Sequence, residues 1–218
     1  MPKHYELLVF DWDGTLMDSA STISSSIQLA CRDLGVRIPS DEQARHIIGL
    51  GLNEAIAHLL PELPKTEYEN LVDRYRFHFL SRDAEIPLFE GALGTVRDLH
   101  SRGFLLAVAT GKSRRGLDRA LQQTGLVEFF HSTRCADECF SKPHPAMLEE
   151  IMEELGTSVE HTLMIGDTSH DLQMASNAGV KSLAVAYGAH PKAGLLDHHP
   201  LACFDHFSEL TEWLTNYA

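Results

Sequence analysis

Four short apolar runs, spaced by helix-length segments, constrain this chain more than any other feature. They are Tyr5 to Phe10 (YELLVF), Leu105 to Ala109 (LLAVA), Thr162 to Ile165 (TLMI) and Ser182 to Ala186 (SLAVA). A run without polar alternation has no face to give to water, so each reads as a strand covered on both sides. The intervening segments carry apolar residues at helical spacing. Leu93, Val96 and Leu99 share a face that stops at Gly103, and Leu117, Ala120 and Leu121 stop at Gly125. Met147, Leu148, Ile151 and Leu155 follow Pro143 and Pro145 and stop at Gly156, and Leu172, Ala175 and Ala178 stop at Gly179. Proline in the first turn and glycine after the last are natural helix limits. Phe207, Leu210 and Leu214 mark a final helix. Strands alternating with such helices predict an α/β fold built on a doubly wound parallel sheet.

The alternation fails between residues 17 and 85. Helical patterns run there from Ile23 to Leu34, Ala44 to Ile48, Leu52 to Leu60 and Glu67 to Leu80, punctuated by Pro39, Pro61 and Pro64. No strand interrupts them, and Pro87 marks the return. The expected organisation is therefore an α/β core from residues 1–16 and 86–218, with a small all-helical cap, residues 17–85, inserted after the first strand.

In a parallel sheet of this kind ligands bind beyond the carboxyl ends of the strands. Three of the four runs end there on residues suited to catalysis: Asp11, Thr110 and Asp167. The first lies in Asp11-Trp12-Asp13-Gly14-Thr15, where carboxylates two residues apart converge as the chain turns at Gly14. One carboxylate can attack phosphorus and form an acyl phosphate that water then hydrolyses. The second can protonate the leaving oxygen and later deprotonate the water. Thr110, with neighbouring backbone N–H groups, can hold a phosphoryl oxygen. Lys142, kept extended by Pro143 just before a helix, can offset charge on the nucleophile and the phosphoryl group. Asp167 can join Asp11 and a carbonyl around Mg²⁺, which favours oxygen ligands. Asp171, one helical turn further on, can orient Asp167 or Lys142.

Lys plus Arg number 18 and Asp plus Glu number 31, a formal charge of −13. A surface so acidic disfavours nucleic acid and anionic membranes, and an anionic substrate would need a local positive site. The four cysteines form no CxxC pair and read as reduced thiols. Cys135 and Cys139, on one helical turn if helical, lack a following histidine at zinc-finger spacing. The 13 histidines, His190 and His198-His199 included, read as surface groups. The start, MPKHYELLVFDWDG, lacks the long apolar stretch of a signal peptide, and no run approaches the ~20 residues of a membrane span. The expected location is the cytoplasm.

The motifs resemble those of the haloacid dehalogenase superfamily of phosphohydrolases. DWDGT matches its DxDGT, LLAVAT its apolar run closed by Thr, the Lys of SKP its lysine, and GDTSHDLQMASNAG its GDxxxD. DGTLMDS at 13–19 and IIGLGLNEAI at 47–56 are similar to the phosphoglycolate phosphatase subgroup, whose relatives include β-phosphoglucomutase and pyrophosphatase-type members. The resemblance implies a Rossmann-like core with a helical cap that excludes water and reads the leaving group. It implies Asp11 as nucleophile and Mg²⁺ ligand, and Asp13 as general acid/base whose backbone carbonyl meets the metal. It implies Thr110 and Lys142 as phosphoryl holders, Gly111 as a backbone N–H donor and Asp167 as the remaining metal ligand, with Asp171 in support. Gly49, Leu50 and Gly51 form the expected specificity loop. Lys112 and Arg114 either lie near the pocket or start a solvated helix together with Arg115 and Arg119, the second being the preferred reading.

The implied activity is Mg²⁺-dependent hydrolysis of a small phosphate monoester, phosphoglycolate-like or a sugar phosphate, by a monomer or homodimer. A phosphomutase and an inorganic pyrophosphatase fit the same chemistry. A dehalogenase does not, because halide needs no protonation and the second carboxylate, Asp13, is present. A non-catalytic binding module would be expected to have lost the nucleophile or the acid.

Overall fold

The computed structural model describes residues 4–218, so residues 1–3 of the expected core segment and of the N-terminal reading lie outside it. Six strands form one parallel sheet: β1 (Leu7–Phe10), β2 (Leu105–Thr110), β3 (Ser132–Cys135), β4 (Thr162–Gly166), β5 (Lys181–Val185) and β6 (Cys203–Phe204). Their order is β3-β2-β1-β4-β5-β6. The chain thus grows outward from β1 to β3 on one side, then crosses back to place β4 against the other side of β1. Such a reversal opens a crevice at the carboxyl ends of the two central strands. Here Leu7 to Phe10 pair in register with Thr162 to Ile165.

Every residue of β1 is buried because the sheet is covered on both faces. Leu7 and Val9 join Ala107, Ala109, Met164 and the helices α7 (Ala146–Leu155) and α8 (Ser169–Asn177) in one apolar layer. Leu8 and Phe10 point the other way, with Leu106, Val108 and Ile165, onto α5 (Ala92–Ser101), α6 (Arg114–Thr124) and α10 (Phe207–Tyr217). Side chains alternate faces along a strand, so both parities must be apolar. Truncating one of them, as in Phe10→Ala, costs about 3–5 kcal/mol. Helix limits follow local chemistry. Ser113 caps α6 by accepting from Gly116 N–H, and α6 and α7 end at Gly125 and Gly156 in the left-handed conformation.

Three elements were not expected. β3 reads STRC and β6 is two residues long; both are sheet edges, where one flank is open and the continuous apolar signature is not required. Helix α9 (Lys192–Leu196) is too short for periodicity to show. Cys135 closes β3 instead of sharing a helical turn with Cys139, whose thiol meets Glu150.

Between β1 and β2 lie α1 (Ala20–Asp33), α2 (Asp41–His46), α3 (Leu52–Leu59) and α4 (Tyr68–Leu80), with single 3₁₀ turns at Lys65–Glu67 and Asp83–Glu85. Helix α2 starts in a capping box: Ser40 accepts from Gln43 N–H, and Gln43 accepts from Ser40 N–H. Helices α1 and α4 pack along each other, and Ile23, Ile27, Leu71, Val72 and Phe79 continue the apolar cluster of the α5–α6–α10 face. No helix among the described residues is long and apolar enough to cross a membrane.

Candidate active site

Beyond the carboxyl ends of β1, β2 and β4 the structure gathers Asp11, Asp13, Thr110, Lys142, Asp167 and Asp171, all buried. Asp11 leaves β1 and Asp167 leaves β4, so their approach is a direct consequence of the β1–β4 pairing. Asp11 N–H continues that ladder, donating to Ile165 O at 2.9 Å. Lys142 Nζ donates to Asp11 Oδ1 at 2.7 Å and to Asp171 Oδ1 at 2.6 Å. The other oxygen of Asp171 accepts from the Thr168 N–H and hydroxyl, at 3.0 and 2.7 Å, and closes the capping box of α8. Asp167 accepts from Thr15 Oγ1 at 2.8 Å and from Ala189 N–H at 2.7 Å. Gly14 fixes this approach: its φ is +84°, and a Cβ there would lie 2.1 Å from Asp167 Oδ2. Only glycine lets the turn after β1 close so tightly over Asp167.

Charge is not balanced in this cluster. Carboxylate oxygens of Asp11, Asp167 and Asp171 lie within 4.8 Å of one another, and one buried ammonium, Lys142, faces them. Two negative charges remain in formal excess. Burial pushes the Asp11 carboxyl up to about 7, against the pull of Lys142 and with Asp171 adding to the rise. Burial, then Asp11 and Asp171, likewise raises Asp167 well above the usual carboxylate range. Burial disfavours the charge on Lys142, but Asp11 and Asp171 outweigh it and raise its pKa. Asp11 Oδ2 is buried without a hydrogen-bond partner. An orphaned carboxylate oxygen beside a second buried carboxylate, in a cluster short of positive charge, fits a divalent cation.

The side chain of Asp13 stands apart from this cluster. Its Oδ1 accepts from Ser19 Oγ at 2.6 Å and lies 3.0 Å from Lys112 Nζ. Of the two readings of Lys112 the pocket one holds and the preferred solvated one does not: its side chain is only 10% exposed, and Nζ sits 4.9 Å from the ring centre of Phe79 on α4. A lysine two residues past a strand end is held by the site before the helix begins at Arg114. Arg115 and Arg119 also line the cavity described below, whereas Arg114 turns away to Glu138 and Thr133.

Thr110 Oγ1 accepts from Lys112 N–H at 3.2 Å. At Gly111 the helical insert meets the core, and a Cβ there would lie 2.5 Å from the carbonyl oxygens of both Gly49 and Leu50. Gly51 N–H donates to Ser141 Oγ at 2.8 Å, next to Lys142. The 49–51 loop thus lies directly over the strand ends.

Two further corrections concern the histidines. His170 and His190 are largely enclosed, and both direct Nε2 at the His46 carbonyl oxygen, at 2.8 and 3.1 Å. His46 and His190 stack with ring centres 5.0 Å apart. These rings join α2 to the segments around β4 and β5; His190 is buried and His170 half-buried, so neither is a surface group, whereas His46 on α2 is exposed. Thr15, Ser19 and Ala189, which hold the acids, were not singled out individually; Thr15 lies within DWDGT and Ser19 closes DGTLMDS, whereas Ala189, which acts through its backbone N–H, carries no local signal.

A cavity of about 330 Å³ opens over the cluster. Its floor is Asp11, Asp13, Thr110, Gly111 and Lys112, and its roof comes from the helical insert through Ile23, Ile27, Ile47, Leu52, Ala55, Tyr75 and Phe79.

Residues 8–185 match the family model described as haloacid dehalogenase-like hydrolase. The chain is 34% identical to the probable phosphatase IndB of Dickeya dadantii, covering 94% of this chain and 91% of that one. It is 36% identical to the pyrophosphatase PpaX of Halalkalibacterium halodurans, over 83% of each, and 32% identical to a phosphoglycolate phosphatase of Vibrio cholerae, over 85% and 86%. Among solved structures, a predicted phosphoglycolate phosphatase from Haemophilus somnus superposes with a TM-score of 0.86 at 22% identity, covering 97% of this chain and 99% of that one.

Proposed function

The chain belongs to the haloacid dehalogenase-like hydrolase family, and from that premise we propose that it is a Mg²⁺-dependent phosphatase acting on a small phosphate monoester. The observation that carries this is Asp11: a buried carboxylate with one oxygen fixed by Lys142 and the other without a partner. In this reading Asp11 attacks phosphorus, the ester P–O bond breaks, and Asp13 gives its proton to the departing alkoxide. Water then attacks the aspartyl phosphate while Asp13 takes its proton, and Asp11 is regenerated as inorganic phosphate leaves. Thr110 and the Gly111 N–H hold phosphoryl oxygens, and Lys142 offsets their charge. Asp11, Asp167 and the backbone carbonyl of Asp13 would hold Mg²⁺, which supplies charge neutralisation between nucleophile and phosphate. Asp171 holds Lys142 in place. Residues 17–85 act as a cap on the core of residues 1–16 and 86–218, with Gly49 in the loop that closes on the phosphoryl group.

The test is Mg²⁺-dependent release of p-nitrophenol from its phosphate ester. Phosphatase activity that survives Asp11→Ala sinks the proposal. A pyrophosphatase is the second reading, favoured by the 36% identity to PpaX; comparing pyrophosphate with monoesters separates the two. A phosphomutase would yield an isomeric sugar phosphate instead of free phosphate.

A further inference from the structure

We propose that the leaving group of the substrate carries a ring-sized apolar body, larger and less polar than glycolate or phosphate, which sits against the underside of the helical insert. This rests on the phosphatase reading and narrows it. The cavity of about 330 Å³ is lined above Asp11 and Asp13 by Ile23, Ile27, Ile47, Leu52, Ala55 and Phe79. A water molecule takes roughly 30 Å³ of liquid, so a two-carbon acid or a second phosphate would leave most of that roof against trapped water. Behind the roof lies a recess of about 30 Å³ that is lined without a charged residue and shares Ile27, Ile47, Leu52, Ala55 and Tyr75 with the main cavity. Apolar recesses of this kind stay dry and take apolar groups.

The cations of the cavity do not describe a second anion site. Of Arg76, Lys112, Arg115 and Arg119, three already face carboxylates: Arg76 with Asp73 at 3.8 Å, Lys112 with Asp13 at 3.0 Å and Arg119 with Asp83 at 3.5 Å. A leaving group bearing a second negative charge would compete with these partners at three of the four cations, the fourth, Arg115, being exposed, and would also meet Asp83 and Asp137 on the same walls.

The experiment compares kcat/KM, with Mg²⁺, for benzyl phosphate, phosphoglycolate and inorganic pyrophosphate. Benzyl phosphate is expected to lead by at least tenfold. Ala55→Phe, which fills the space under the roof, is expected to cut that lead at least tenfold. Leu52→Phe, at a half-buried position on the same wall, serves if bulk at residue 55 compromises folding. Phosphoglycolate or pyrophosphate ahead of benzyl phosphate overturns the inference and leaves phosphatase activity standing. No phosphate release from any of the three overturns the functional reading together with the inference.

Discussion

The floor and the roof of the cavity are built on opposite principles. The floor, at the carboxyl ends of β1, β2 and β4, concentrates titratable groups where water is scarce, at a cost in stability. Burial holds Asp11 and Asp167 above their ordinary ionisation range, and one oxygen of Asp11 goes unbonded. The roof, from α1, α3 and α4 with Ile47 just past α2, is apolar packing that includes the rings of Tyr75 and Phe79, and its side chains would gain from any apolar surface placed against them. Under the proposed mechanism the chemistry is thus set by the sheet, and selectivity falls to an element that can be repacked without touching Asp11.

If that division holds, floor and roof variants fail in different ways. The largest effect is expected from Asp11→Asn: loss of phosphate release on the order of 10⁴-fold, with the melting temperature held or raised, because a buried charge is removed. Lys142→Met should cost about 3–5 kcal/mol by denaturant unfolding as well as activity, since it leaves Asp11 and Asp171 buried without a cation. A milder loss would show that the carboxylates take up protons instead. Leu59→Ala, in the packing of the roof, should destabilise by about 2–5 kcal/mol yet raise KM for p-nitrophenyl phosphate more than it lowers kcat. A kcat collapse there would erase the distinction between the two surfaces. Adding Mg²⁺ at a hundredfold its dissociation constant should stabilise the wild type by about 2.7 kcal/mol and Asp11→Asn by less, read as a thermal shift.

The smallest effect belongs to the seam between the two regions. Burial, with His170 adding to it, pushes the His190 imidazole down to about 4, and its Nδ1 accepts from Ser169 N–H while Nε2 donates to His46. The folded form therefore resists the proton that the unfolded chain takes near pH 6.5. Its stabilising contribution is present above pH 6.5 and is lost as pH falls toward 4. Wild type should lose a few °C of melting temperature relative to His190→Gln between pH 7 and pH 5, at about 2–4 °C per kcal/mol for a chain of this size. A difference that does not vary with pH would remove His190 as the cause.

The floor was legible in the sequence and the roof was not, for physical reasons. A buried parallel strand must be apolar at both parities, so β1, β2, β4 and β5 announce themselves, and the polar residue that ends three of those runs, β1, β2 and β4, marks the crevice. Edge strands β3 and β6 escape because exposure relaxes that demand. Lys112 was misplaced because adjacency to Arg114 and Arg115 suggests a solvated helix start, whereas its environment is set by Asp13 and Phe79, distant in sequence. The helices of the insert were readable as helices, but the cavity they cover depends on how α1, α3 and α4 lean together. The His46–His170–His190 contact is of the same kind, invisible until the insert is seated on the core.

Asp171 answers to two masters. One oxygen closes the box that starts α8, and the other grips Lys142. A descendant that abandoned turnover would still need this acid to begin its helix, so its retention in a relative says little about whether that relative is alive as an enzyme. Under the proposed mechanism it is Asp13, whose carboxylate starts no helix, whose loss would betray a retired copy.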